Sequence, residues 1–422
     1  MLQPKLRFKT FNDKWNIKKL REILEFKNGI NASKEQYGKG IKFINVLDIL
    51  NNDFITYDNI IGRVNIDKNL LEKYSVSYGD ILFQRSSETR EEVGMANVYL
   101  DKNKIATFGG FIIRGKKIGS YEPYFMNKLL QTNLVRNEII SKAGGSTRYN
   151  VGQDILSEVK IIIPSIQEQK KIADFLSSVD VKINLTENKL ELLKEYKKGI
   201  MQKIFSQELR FKDSNGNAYP KWEEKKFNEV FSFLQNNTFS RECLTTEKQE
   251  VQNIHYGDIL TKYNNILKIT NDIPYIKKEY NLSKFSEESF LKTGDIIIAD
   301  TAEDFTVGKA IEISNTKKKK VLSGLHTFAC RTNFNFAFGY LGQYLNSNQY
   351  HLQLYFFVTG IKVSSISKHS IKDTKLFFPK NEKEQKKIAD FLSSIDTKIE
   401  KLSDELENLK EFKKGLLQQM FV

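Results

Sequence analysis

One feature constrains this chain more than any other: it contains the same long segment twice. Residues 168–205 (EQKKIADFLSSVDVKINLTENKLELLKEYKKGIMQKIF) align without a gap to residues 384–421, and 24 of the 38 positions are identical. Within the first copy Ile172, Leu176, Val179, Ile183, Leu190, Leu193, Ile200 and Ile204 fall on alternating four- and three-residue steps, with Thr186 and Lys197 in the polar slots. In the second, Ile388, Leu392, Ile395, Ile399, Leu402, Leu406, Leu409, Leu416 and Met420 do the same, with Lys413 as the polar slot. That spacing is the a/d seam of helices that wind around one another. A buried aliphatic side chain gains about 1.5–3 kcal/mol, so neither helix can leave its stripe in water. The simplest prediction is that the two copies pack on each other, antiparallel, and that any stripe left over is a docking surface for partner helices.

The helix starts are marked as well. Ser165 with Glu168, and Asn381 with Glu384, have the spacing of a capping box, and Pro164 and Pro379 stand just before them. Gly199 and Gly415 lie late in each helix, where they are expected to loosen or end the coil. The repeat extends more weakly upstream. Leu6-Arg7-Phe8-Lys9 with Trp15 matches Leu209-Arg210-Phe211-Lys212 with Trp222, Gly79-Asp80 matches Gly294-Asp295, and Gly94 matches Gly308. Short β-rich runs (Lys42–Leu47, Asp80–Phe83, Phe111–Ile113, Val159–Ile163, Asp295–Ala299, Phe328–Arg331, Lys375–Phe378) alternate with turns. The expected fold is α+β: two mixed α/β domains separated by two long antiparallel coiled-coil helices, in a pseudo-two-fold internal repeat. The boundaries are 1–164 for the first domain, 165–206 for the central spacer helix, 207–379 for the second domain and 380–422 for the second spacer helix.

Composition narrows the function. Lys and Arg outnumber Asp and Glu by 66 to 52, and a basic globular chain favours a polyanionic partner through counterion release. Cys243 and Cys330 form no CxxC pair, which fits a reducing cytosol. The four histidines, His255, His326, His351 and His369, lack zinc-ligand spacing. No apolar run reaches the ~18 residues of a membrane span, and the start has no apolar segment typical of a signal peptide. No two of the six prolines are adjacent, so the Pro-Pro loop of amino-group DNA methyltransferases is absent. The nearest approach to a P-loop, Gly110 to Lys117, lacks the hydroxyl for Mg²⁺ and reads as a basic strand and turn. Asp154 with Glu158-Val159-Lys160 faintly resembles a nuclease metal site, but an ordinary acid/base pair is the better reading. No catalytic or metal residue is assigned.

Four loops have the chemistry of a nucleic-acid reader, with glycines for close backbone approach and Arg, Lys, Ser or Thr to contact phosphates and base edges. They are Gln84–Arg90 and Gly144–Asn150 in the first half, and Asp300–Asp304 and Gly360–Ser365 in the second. The residues expected to bind DNA are Arg85, Ser86, Ser87, Arg90, Ser146, Thr147, Arg148, Tyr149, Thr301, Lys309, Lys362, Ser364, Ser365 and Lys368. The run Lys317–Lys320 reads as a solvated or phosphate-facing loop.

The pattern Pro164…Glu168-Gln169…Ile172-Ala173-Asp174-Phe175-Leu176…Asp180…Lys182-Ile183, repeated at Pro379…Glu384-Gln385…Ile388-Ala389…Asp396…Lys398-Ile399, resembles the specificity subunit of type I restriction–modification systems over the whole chain. The resemblance implies a non-catalytic reader of a bipartite, asymmetric duplex target, one half-site per domain, working in the cytoplasm. It also implies two modification subunits that methylate adenine and two restriction subunits as partners. S-adenosylmethionine, ATP and Mg²⁺ would then be held by the partners, and no cofactor by this chain. A coiled-coil protein–protein adaptor without DNA specificity, a stand-alone enzyme and an inactive, swappable allele are the rival readings.

Overall fold

The computed structural model describes residues 3–145, 147–304, 306–316, 319–360 and 363–421. Ser146 and Lys362, two of the expected DNA contacts, lie outside the described residues, as do Lys317 and Lys318. The chain forms two compact units, residues 1–187 with 404–422, and residues 188–403. The division therefore falls inside both long helices, and each unit owns a segment of each.

In the first unit a four-stranded antiparallel sheet runs in the order Leu24–Asn28, Ile112–Lys117, Ile81–Gln84, Ala96–Val98. The second unit repeats that order as Phe231–Phe233, Thr327–Thr332, Ile296–Ala299, Ala310–Ser314, and adds Ile266–Lys268 as a parallel edge. The middle strands Ile81–Gln84 and Ile296–Ala299 are buried throughout, as near-continuous apolar runs require when both faces are covered. The expected strand Lys42–Leu47 ends three residues earlier than its apolar pattern suggested and begins five residues sooner. The strand Tyr37–Ile44 stops where Asn45 caps the helix Val46–Leu50, and Asp48 accepts the Asn45 N–H at 2.7 Å. An N-terminal capping pair there overrides β propensity.

A two-stranded ribbon launches each long helix. Asn16–Lys19 pairs with Lys160–Ile163, and Glu223–Lys226 with Lys375–Phe378. Pro164 and Pro379 end the ribbons, and the helices run over Ile166–Phe205 and Glu382–Met420. Gly199 and Gly415 do not end them; both stay helical.

The expected capping boxes form only in part. Ser165 Oγ accepts the Glu168 N–H at 3.4 Å, and Asn381 Oδ1 that of Lys383 at 2.9 Å. The two glutamates do not reach back to their caps. Glu168, 1 % exposed, takes a two-pronged bond from Arg7 at 2.7 and 2.8 Å, and Glu384 takes one from Arg210 at 3.0 and 2.8 Å. The adjacent glutamines are bolts of the same joint. Gln169 donates to the Pro164 carbonyl at 2.9 Å and accepts the Glu122 N–H at 3.0 Å. Gln385 donates to Pro379 at 2.8 Å and accepts Ala337 N–H at 2.9 Å. The Glu-Gln pair thus ties the start of each domain, its middle and its helix together.

Within the first unit the early part of the first long helix packs on the late part of the second; within the second unit the roles reverse, as antiparallel packing requires. Ile172, Leu176, Val179 and Ile183 share one buried cluster with Leu416 and Met420, and Leu406 and Leu409 pack against it. Ile388, Leu392 and Ile395 share another with Met201 and Ile204, against which Leu193 and Ile399 pack. Leu190 is buried as well. These clusters extend into the sheets, with Trp15 and Phe125 in one and Trp222 and Phe227 in the other, so the stripe is partly domain core and not solely a coiled-coil seam. The polar slots are occupied by charge pairs. Lys413 meets Asp180 at 2.7 Å and Lys197 meets Asp396 at 2.5 Å. Each residue of one pair lies 216 positions from its counterpart in the other, so the two clasps are the same clasp made twice. Thr186, the third polar slot, returns its hydroxyl to the Lys182 carbonyl at 2.9 Å.

Candidate nucleic-acid interface

The interface begins at the Gly-Asp turn. Gly79 has φ +89° and Gly294 φ +92°, a left-handed conformation that glycine adopts without strain. Asp80 accepts the N–H groups of Ser77 at 3.0 Å and Lys117 at 2.9 Å; Asp295 accepts that of Lys292 at 2.7 Å and is gripped by Arg331 at 2.8 and 2.7 Å. These aspartates fix where the central strand starts, and hence where its far end delivers the chain.

At that far end of the first unit the two loops picked out by sequence come together. Ser86–Ser87 pairs antiparallel with Tyr149–Asn150, and Gly144 bridges Asn150 to close a hairpin. Gly145 has φ +118°, and a Cβ there would stand 2.1 Å from the Arg148 carbonyl oxygen, so only glycine fits. The hairpin carries exposed Thr147 and Arg148 with half-buried Tyr149. Arg85 and Arg90 are exposed on the facing loop. The Arg148 guanidinium is 3.6 Å from Glu88, with both side chains mostly in water. Such a pair is worth little, and a phosphate or base edge can replace the carboxylate. Ser86 donates to the Asn150 side chain. Ser87 is buried and donates to Glu92 at 3.0 Å, so it supports the loop and does not face a ligand. A concavity of about 400 Å³ lies here, bounded by Ser86, Glu88, Arg148 and Phe111.

The second unit builds the same frame with other side chains. Thr301–Ala302 pairs with Ser364–Ser365, Thr359 bridges Ser365, and a Cβ on Gly360, φ +105°, would lie 2.0 Å from the Val363 oxygen. Thr301 donates to Asp300 at 2.7 Å and lies 3.3 Å from His326 Nδ1, which is 3.4 Å from Asp300. The ring of Tyr256 meets His326 edge-on at 5.2 Å. Ser364 and Ser365 are half-buried beside Thr301. Lys309 is turned inward, donating to the Leu260 carbonyl at 3.2 Å, and burial depresses its pKa. Lys368 lies over the Phe233 ring at 4.7 Å. Among the described residues neither side chain is hydrogen-bonded to Asp300, Thr301 or His326.

Two residues escape a reading of the sequence. The Arg85 N–H donates to the Phe111 carbonyl at 2.8 Å, and the Asp300 N–H to that of His326 at 3.1 Å. Phe111, two-thirds exposed, and His326 therefore hold equivalent places beside these paired loops. The preceding Gly109-Gly110 and Gly324 were the available signal. A Cβ on Gly29 would lie 2.1 Å from the Gly109 oxygen, which shows how tightly that turn is packed. The nuclease-like Glu158 is spent on Lys19 at 2.5 Å and on Arg21, and the P-loop-like segment is the strand Ile112–Lys117. Among the described residues no group of three or more His, Cys, Asp or Glu could hold a metal ion. Among them, too, no helix is long and apolar enough to cross a membrane.

Two like heads, each joined by a Glu-Gln bolt to a long helix and each presenting a glycine-hinged polar face, define a recognition chain made by internal duplication. The family described as type I restriction modification DNA specificity domain matches residues 12–195 and again 219–411. The putative type I restriction enzyme MjaX specificity subunit of Methanocaldococcus jannaschii is 27% identical over 96% of this chain and 92% of its own length. The type I restriction enzyme EcoKI specificity subunit of Escherichia coli is 26% identical over 49% of this chain and 44% of its own. The type I restriction–modification S subunit from M. genitalium superposes with a TM-score of 0.54 at 15% identity, covering 100% of this chain and 99% of that one. The chain belongs to the type I restriction–modification DNA specificity family. It is a specificity subunit, not itself a catalyst.

Proposed function

We propose that this chain reads a bipartite, asymmetric duplex target, one half-site per unit, and scaffolds two modification subunits, adenine-N6 methyltransferases, and two restriction subunits. The observation that carries the reading is a shared frame with unlike side chains. Arg85, Ser86, Phe111 and Arg148 in the first unit stand where Asp300, Thr301, His326 and Val363 stand in the second. Arginine addresses guanine O6 and N7, and aspartate accepts from cytosine N4, so two heads so equipped read different sequences.

Thr147, Tyr149, Arg90, Ser364 and Ser365 are the further contacts proposed, with Lys368 for the phosphate backbone. Ser87 and Lys309 support the loops. For the partners, Val181 and Leu185 of the first long helix are exposed one turn apart in the first unit. An apolar stripe on a helix calls for another helix. A solved chain of similar fold, TM-score 0.55 at 14% identity and 97% coverage of this chain, comes from work on complex assembly of the type I system. S-adenosylmethionine, ATP and Mg²⁺ belong to the partners in this reading, and the assembly works in the cytoplasm.

The deciding experiment is co-expression with the modification subunit, followed by mapping of methylated adenines across a genome. Two short unrelated half-sites with a fixed gap are expected. Methylation without sequence preference, or none dependent on this chain, would overturn the reading.

A further inference from the structure

Both units close a tight turn beside their paired loops, and the residue at its tip differs in kind. In the first unit the turn is Gly109-Gly110-Phe111-Ile112. The Gly109 carbonyl accepts the Ile112 N–H at 2.9 Å, the Gly109 N–H donates to the Ile44 carbonyl at 3.0 Å, and the Phe111 carbonyl accepts the Arg85 N–H at 2.8 Å. A Cβ on Gly110 would stand 1.9 Å from Asn31 Oδ1, so the chain is packed closely up to the tip itself. The Phe111 ring is nevertheless left in water, 66% exposed. It borders the concavity that Ser86, Arg148 and half-buried Val46 also line, and exposed Arg85 stands on the facing loop. In the second unit the turn is Gly324-Leu325-His326-Thr327, closed by the Thr327 hydroxyl donating to the Gly324 carbonyl. There His326 turns its Nδ1 toward Thr301 and Asp300. A polar ring thus stands where the first unit has an apolar one.

We propose that Phe111 recognises thymine in the first half-site, by packing its ring on the C5 methyl group in the major groove. This rests on the function proposed above and adds to it the base that one named side chain selects. A phenyl ring has no donor or acceptor to offer a base edge. Of the groups that base pairs present in the major groove, only the thymine methyl is apolar, so it is the one feature such a ring can select. The neighbouring arginines suit phosphates and guanine edges, and their charge brings the duplex up to the ring. The pinned backbone holds the ring at that place before DNA arrives, so little ordering remains to be done on binding. His326 is the internal contrast, since a ring whose polar atoms are engaged with Thr301 and Asp300 gives the second half-site no such requirement for a methyl group.

The test uses the methyltransferase assembled on the full chain and a duplex carrying its mapped target. Each thymine of the first half-site, on either strand, is replaced in turn by deoxyuridine, which lacks only the methyl group. One replacement should weaken binding by the native assembly about fourfold or more, the gain from burying a single methyl group. Assemblies carrying Phe111→Ala, or Phe111→His, which installs the second unit's residue, should bind the thymine and deoxyuridine duplexes alike at that position. Both should keep the native preference at the second half-site, which also reports that they are folded. A first half-site without thymine on either strand, native binding indifferent to every replacement, or a Phe111→Ala assembly as sensitive as the native one would overturn this role for Phe111 while leaving the bipartite reading intact. Absence of any mapped target would overturn both.

Discussion

Glu312 is a carboxylate on a central strand of the second unit, almost wholly out of water, where it accepts the N–H groups of Gly339 and Gly342 at 2.8 Å each. Burial pushes its pKa up to about 7 in spite of those bonds. Its unfolded value is near 4.5, so between pH 4.5 and 7 the unfolded chain has lost a proton that the folded chain keeps. Stability therefore falls as pH rises through that window, by roughly 3 kcal/mol at most. Denaturant unfolding of the native chain and of Glu312→Gln should diverge from pH 5 to 8, the variant losing less; parallel curves would contradict this. At the interface, Arg148→Ala should relax preference at one position of the first half-site, costing about 1–3 kcal/mol and sparing the second, as methylated-adenine mapping would register. Arg85 and Arg148 were legible in the sequence because glycines and hydroxyls surround them. Phe111 was not, because nothing in an apolar residue's neighbours says it will stand in water. The Glu168 carboxylate was misread as a cap because its true partner, Arg7, lies 161 residues away, and local spacing cannot see such a partner.

At the scale of the element, the long helices were the most legible part of the chain, since a 3.5-residue period over about five heptads has few other solutions. What periodicity could not give was how the polar slots are filled. Lys413 on Asp180 and Lys197 on Asp396 fix the register, since sliding either helix by one turn strands all four charges. Replacing Asp180 by Asn should cost about 3–5 kcal/mol, and Lys413→Met should cost much less in that background than it does alone in a double-mutant unfolding cycle. Additive losses would show that the pair does not communicate. A 40-residue helix is about 60 Å long, more than the roughly 34 Å of one duplex turn, so a ruler role is feasible. Inserting four residues within 184–189 should lengthen the gap between methylated half-sites, and an unchanged target would refute the ruler.

For the molecule as a whole, a net charge of +14 and the exposed Arg85, Arg90 and Arg148 predict, on the proposed function, DNA affinity that falls steeply with salt. Filter or fluorescence binding of the assembled methyltransferase at 50 and 200 mM salt would measure the slope, and a flat response would favour a protein adaptor. Exchanging residues 1–164 for those of a relative should alter one half-site only. The eleven residues from Glu168 to Ser178 recur unchanged from Glu384 to Ser394, and they hold the bolt that fastens each head; the acid of each clasp follows two residues later. A head from another lineage, spliced in just ahead of that stretch, would arrive where its fastening already waits. New sequence preferences could then be acquired by shuffling genes, with no need to renegotiate how the molecule is put together.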